Sequence, residues 1–198
     1  MALGDFESPS AWRQDLDRRW PERAVIKSLV VETLKQVCAS ERPKLLELGP
    51  GDGELLVQLQ ARYANASFTA ADIEPSLLQH LSARVLRPIA TVEINLSESW
   101  SKLGGPFDAI YSVQTLHDLG GEEALRNAYL KARASLAPGR LLLNADFVEP
   151  FVNDDPARPR RFDVETHRRL LREADFVDSR CVGEVGGMAC VCASRGRY

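Results

Sequence analysis

Apolar and polar positions follow two periods along this chain. Residues 10–40 read as helical. From Arg23 to Val37, the side chains Ala24, Ile26, Leu29, Val30, Thr33, Leu34 and Val37 fall at helical spacing, and Pro21 suits the first turn of that helix. Pro43 ends the region. Short apolar runs then alternate with amphipathic segments. The pattern predicts strands over 45–48, 67–73, 91–96, 107–113 and 141–147. Helices are predicted over 54–63, 75–84 and 122–136, the last stopped by Pro138-Gly139. Such alternation implies an α/β domain with a parallel sheet covered on both faces. A helix over 163–174 precedes apolar runs 177–182 and 188–193, joined by a Gly-rich link. Neighbouring strands with so short a link are antiparallel, so the sheet should end in a hairpin.

The first strand runs into Glu47-Leu48-Gly49-Pro50-Gly51-Asp52-Gly53, and a helix starts at Glu54. Glycines let the backbone turn sharply and approach a ligand closely, as in the first β–loop–α unit of nucleoside-cofactor folds. They also serve as an ordinary tight turn. Dinucleotide enzymes favour G-x-G-x-x-G, with pyrophosphate on the helix N-terminus. Here the third glycine comes one residue early and Glu54 takes its place, where a carboxylate would repel pyrophosphate. Glu47 beside the loop suits a ligand carrying positive charge. Asp72, ending the second strand, is placed to accept both hydroxyls of a ribose, or to cap the next helix.

The order Glu47, Gly49-x-Gly51-x-Gly53, Asp72, then Phe107-Asp108-Ala109-Ile110 and Leu136-Ala137-Pro138-Gly139, resembles the class I S-adenosylmethionine-dependent methyltransferases. Leu170-Leu171-Arg172-Glu173-Ala174-Asp175-Phe176 is similar to that family's segment before its final hairpin, with Asp175 in place of the usual Gly. The likeness covers residues 44–194. It implies a three-layer, Rossmann-like sandwich with a mostly parallel seven-stranded sheet ending in an antiparallel hairpin. It implies one domain over 1–198, in which segment 1–42 lies over the pocket of a core at 43–198. The implied cofactor is S-adenosylmethionine, leaving S-adenosylhomocysteine. Glu47, Gly49, Gly51, Gly53, Asp72 and Ile73 would hold it, with Asn95 and Leu96 around the adenine and Ser112 and Val113 at the methionine end. Asn95 stands where Asp is common, and also suits an ordinary turn.

His117 follows the fourth strand, where the transferable methyl should point. It is a candidate general base, or a packing histidine. Asp146 ends the fifth strand and is a candidate substrate contact. Trp12 and Trp20 would form an aromatic lid, or pack against the sheet. The run Arg158-Pro159-Arg160-Arg161, with Arg168, Arg169 and Arg172, suits an anionic group, or is a solvated face diluted by Asp154, Asp155, Asp163 and Glu165. Family enzymes acting on nucleic-acid bases or glutamine usually carry Asn/Asp-Pro-Pro-Tyr/Phe after the fourth strand. This chain has Ser112-Val113-Gln114-Thr115. A small-molecule acceptor is therefore expected, with oxygen slightly preferred over nitrogen or carbon. Two rivals stand beside this reading: a non-catalytic S-adenosylmethionine-binding protein and an NAD(P)-dependent oxidoreductase.

Composition narrows the picture further. The 198 residues suffice for one good core. A net charge of −3 gives no broad attraction to nucleic acid. No apolar run reaches membrane-spanning length, and the start, Met1 to Glu7, lacks the order of a signal peptide. Cys38, Cys181, Cys190 and Cys192 form no metal-binding spacing, so no metal and a reduced cytoplasmic setting are expected. A monomer or homodimer is compatible with all of this.

Overall fold

The computed structural model describes residues 6–38 and 41–197. The leader reading at 1–5, the helical expectation at 39–40 and the Cys38 side chain lie outside the described residues. Two helices, α1 (Pro9–Arg19) and α2 (Arg23–Cys38), lead into β1 (Lys44–Leu48). Alternation follows: α3 (Glu54–Arg62), β2 (Ser67–Asp72), α4 (Pro75–Arg84), β3 (Ala90–Glu93), β4 (Phe107–Val113), α5 (Glu122–Ser135) and β5 (Leu136–Phe147). Helix α6 (Val164–Glu173) and the strands β6 (Phe176–Val185) and β7 (Met188–Arg195) follow.

The seven strands form one sheet in the order β3-β2-β1-β4-β5-β7-β6. The first five are parallel, and β7 runs antiparallel to both β5 and β6. Side chains alternate between the faces. Leu45, Tyr111 and Leu143 enter the core shared with α2, α3 and α4. Leu46, Ile110 and Leu142 enter the core shared with α5 and α6. This is the expected three-layer α/β sandwich with its terminal hairpin.

Local details depart from the pattern. Strand β5 starts at Leu136, because Leu136 pairs with Phe107 while Leu141 pairs with Ala109. Pro138-Gly139 thus lies in the irregular opening of β5, just beyond the end of α5 at Ser135. The final hairpin turns on Gly186 and Gly187 alone, both at positive φ (55° and 70°), so its strands are longer than the apolar runs suggested. Asp175 takes positive φ (57°) after α6, so it makes the left-handed turn that glycine serves elsewhere. No described helix is long and apolar enough to cross a membrane.

Candidate active site

A cavity of ≈ 820 Å³ opens where β1, β2 and β4 end. Parallel strands present their carboxyl ends to this crevice, where the strand order reverses. Glu47, Gly49, Gly51, Asp72, Ile73, Asn95, Leu96, Val113 and His117 all line it, as do Trp12 and Trp20 from the N-terminal helices.

The glycines divide their work. All three have positive φ. A Cβ on Gly49 would meet the Thr115 side chain at 2.3 Å, so the loop packs directly on the chain leaving β4. A Cβ on Gly53 would meet Leu81 Cδ1 at 2.1 Å. Gly53 therefore lets α4 close on the loop and does not line the cavity, which corrects its assignment as a ligand contact. Gly51 lies under the Trp12 ring, whose Nε1–H is buried without a partner among the described residues.

Glu47 points from β1 into the cavity, and the Tyr111 hydroxyl donates to its Oε2 at 3.1 Å. Burial pushes its carboxyl up to about 8; the Tyr111 hydrogen bond opposes this, while Asp52 and Asp72 add to it. A buried acid facing a cavity beside other acids fits a cationic ligand group. Asp72 also sits above its ordinary range, mainly through burial, with the Glu74, Gly51 and Ile73 amides pulling the other way. Its Oδ1 accepts from Glu74 N at 3.0 Å. The α4 cap is Glu74, whose side chain accepts from Ser76 N, so Asp72 keeps its place on the cavity. Beside it, Ile73 is 63% exposed, an apolar side chain with nothing over it. Asn95 uses its Oδ1 within its own turn, accepting from Ser97 N at 2.9 Å. These features fit an adenosine ligand bearing positive charge: a carboxylate for a ribose, an uncovered apolar side chain for a base, a buried acid for an ammonium.

Glu54 is not the free charge that the sequence suggested. Lys27 of α2 pairs with it, and Arg13 Nη1 lies 3.5 Å away. Arg13 also meets Asp52 at 3.0 Å and Asp17 at 2.8 Å, and Arg23 meets Asp17 at 2.8 Å. Repulsion of pyrophosphate by Glu54 therefore does not by itself exclude a dinucleotide. This network ties α1 and α2 to the glycine loop, and no periodicity announces it.

His117 stands in a short 3₁₀ turn after β4. Asp146 Oδ1 lies 2.7 Å from its Nδ1, Asp146 Oδ2 accepts from its backbone N at 3.1 Å, and Phe147 N donates to Asp146 Oδ1 at 2.9 Å. The carboxylate accepts a hydrogen bond from Nδ1–H, which leaves Nε2 as the accepting nitrogen. Burial would lower the His117 pKa, but the Asp146 charge and hydrogen bond, helped by Asp118, hold it above the ordinary value.

Two expectations are corrected by strand parity. Asp146 shares the face of Leu142 and is 2% exposed; it lies behind His117 and does not line the cavity. Ser112 shares the face of Ile110, is fully buried and is likewise turned away from it. Their neighbours Phe147 and Val113 face the cavity instead.

Three lining residues were given no role from the sequence. Gln114 holds positive φ (54°) and a buried Oε1 without a partner among the described residues. Phe147 and Phe151 join Trp20 in an aromatic wall: Trp20 stacks on Phe151 (5.7 Å, 9°) and meets Phe147 edge-on (5.2 Å). His117 packs against the same Phe147 ring at 5.6 Å.

A Methyltransferase domain profile matches residues 46–142, from inside β1 to inside β5. Over 147 residues the chain is 29% identical to a release factor glutamine methyltransferase of Deinococcus radiodurans, covering 62% of this chain and 51% of that protein. The chain thus spans about half the length of that curated relative. Among solved structures, the citrinin polyketide synthase CMeT domain superposes with TM-score 0.80 at 16% identity, covering 98% of this chain and 59% of that one. S-adenosylmethionine-bound CalS10, an amino pentose methyltransferase from Micromonospora echinaspora, gives 0.74 at 19% identity, covering 93% and 96%. With the glycine loop, the strand order and the cavity at the sheet's switch point in place, residues 46–142 match a methyltransferase domain, and the chain shares the Rossmann-like fold of S-adenosylmethionine-dependent methyltransferases such as these.

Proposed function

We propose that this chain transfers a methyl group from S-adenosylmethionine to a small-molecule acceptor, with oxygen as the preferred nucleophile. The observation that carries the reading is His117, oriented by Asp146, on the same cavity as Glu47 and Asp72. In this reading Glu47 faces the ligand's ammonium and Asp72 the ribose hydroxyls. Ile73, Asn95 and Leu96 flank the adenine, the Gly49–Gly51 backbone follows the ligand, and Val113 lies at its methionine end. The cofactor supplies a methyl group already activated on a sulfonium.

The chain's own contribution is placement and proton removal. Holding nucleophile and methyl carbon in line is worth ~7–11 kcal/mol. His117 Nε2 accepts the proton of the attacking hydroxyl, and Asp146 stabilises the resulting imidazolium. Trp20, Phe147 and Phe151 provide an apolar wall that excludes water from this end. No metal is part of this reading. The cytoplasmic setting belongs to it too, in keeping with the free thiols Cys181, Cys190 and Cys192.

Methyl-labelled S-adenosylmethionine, incubated with the protein and separately with small-molecule, protein and RNA extracts, tests the reading. Label is expected in the small-molecule fraction only. Label confined to protein or RNA would overturn the acceptor class. A second expected result concerns the ribose contact. Asp72→Ala should weaken S-adenosylhomocysteine binding by about 10–100-fold, since hydrogen bonds to charged groups contribute roughly 1.5–3 kcal/mol. Calorimetry on both proteins measures it, and an unchanged affinity would remove Asp72 from the site.

A further inference from the structure

The arginine-rich stretch after β5 is not one surface. Arg168 and Arg172 pair with Glu165, and Arg169 pairs with Glu122 and Glu173, all on the solvated side of α6. Arg158 is exposed. Arg160 and Arg161 alone of this group line the cavity. They do different things there. Arg160 spends its guanidinium on the His117 turn: Nη2 meets Asp118 Oδ1 at 2.7 Å, and Nε donates to the His117 carbonyl at 3.3 Å. Arg161 lies over the Phe151 ring at 3.8 Å and within 5.5 Å of the Phe147 centroid. Its side chain is only 11% exposed.

The Arg161 guanidinium is half used. Asp154, which does not line the cavity, takes Nη1. Nε is buried and has no hydrogen-bond partner among the described residues. No described residue pairs with Nη2 either, so among the described residues the Nε/Nη2 edge is left over, and it carries two parallel N–H donors in one plane. A carboxylate matches it with two parallel acceptors. Stacking on Phe151 and the pair with Asp154 fix the plane in advance, so little rotamer freedom remains to be lost on binding. At this end of the cavity the anions do not compete. Asp146 is engaged by His117 and Asp118 by Arg160.

We propose that Arg161 recognises a carboxylate on the methyl acceptor, and that the acceptor is a compact aromatic hydroxy acid. The inference rests on the methyltransferase reading above and deepens it. His117 and Arg161 both pack on the Phe147 ring, at 5.6 and 5.5 Å from its centroid. The nucleophilic hydroxyl and the carboxylate thus belong to one small scaffold spanning roughly a ring. The wall of Trp20, Phe147 and Phe151 suits an aromatic face.

The test is binding to the protein saturated with S-adenosylhomocysteine, read by calorimetry. The probes are 2-, 3- and 4-hydroxybenzoate, their methyl esters, and phenyl phosphate. At least one acid should bind 10-fold or more tighter than its ester and tighter than phenyl phosphate. Arg161→Gln should weaken that acid by about 10–100-fold, leave the ester unchanged and leave S-adenosylhomocysteine affinity unchanged. Arg161→Lys, which keeps the charge and loses the fork, should fall between the two. Acids no better than esters, or a preference that survives Arg161→Gln, would overturn the proposal. Phenyl phosphate equal to the acids would overturn the carboxylate assignment. Failure of S-adenosylhomocysteine to bind at all would be a failure of the underlying reading, visible before any acid is added.

Discussion

His117→Ala should lower kcat by about 10²–10⁴-fold, the range of a lost general base, with S-adenosylhomocysteine affinity within a few-fold of the parent. The variant should fold, because Asp146 does not lose all its partners. The amides of residue 117 and of Phe147 still donate to it. A histidine that merely packs against Phe147 would instead cost affinity or stability and spare kcat. The pH profile separates the roles further. Only neutral His117 can accept a proton, so activity rises with pH through its pKa. Burial opposes protonation, but the Asp146 and Asp118 carboxylates outweigh it. The rising limb should therefore lie above the ordinary histidine value of 6.5. Asp146→Asn removes the main opposing charge and should move that limb to lower pH while reducing kcat. Steady-state kinetics from pH 5.5 to 9 measures both, and a limb that stays put in Asp146→Asn would contradict the assignment.

Glu47→Gln should flatten much of the pH dependence of stability of the ligand-free protein and weaken cofactor binding at the same time. Glu47 ionises at about 8 in the fold, against an ordinary 4.5. Below 4.5 the group is protonated whether the chain is folded or not, and its relative contribution to stability is fully present. Between these values the unfolded chain ionises and the folded chain does not. Stability should then fall as pH rises, at up to about 1.4 kcal/mol per unit from this group. Above 8 the slope ends. Urea unfolding at pH 5, 6.5 and 8 should show a decline in the parent that is smaller in the variant; equal slopes would refute the shift. Binding has the opposite sign. A ligand ammonium favours ionised Glu47, so S-adenosylhomocysteine affinity should rise between pH 6 and 8 with release of a proton, and Glu47→Gln should lose that rise. In the proposed reading the same buried acid would cost stability in the ligand-free protein and provide a charge for the ligand.

The α/β order, the terminal hairpin and the positions of Glu47, Gly51, Asp72 and Asn95 were legible because each rests on local pattern: strand periodicity, glycines in a loop, an acid at a strand end. Asp146 and Ser112 were misread although the information was present. Counting in twos from Leu142 and Ile110 puts both on the α5/α6 face and puts Phe147 and Val113 on the cavity. The pairing of Glu54 with Lys27 could not be read, because it joins two helices through space. Phe151 and Arg161 lie in an irregular stretch with no period to place them. Gln114 carries its signal in a backbone angle, 54° at φ, that its residue type does not announce.

The most direct measurement is calorimetric titration of the purified protein with S-adenosylhomocysteine, with NADH as the control. The site described here predicts saturable, micromolar binding of S-adenosylhomocysteine and none of NADH. Binding of NADH without S-adenosylhomocysteine would contradict it, and would mean that the glycine loop and Asp72 serve a dinucleotide.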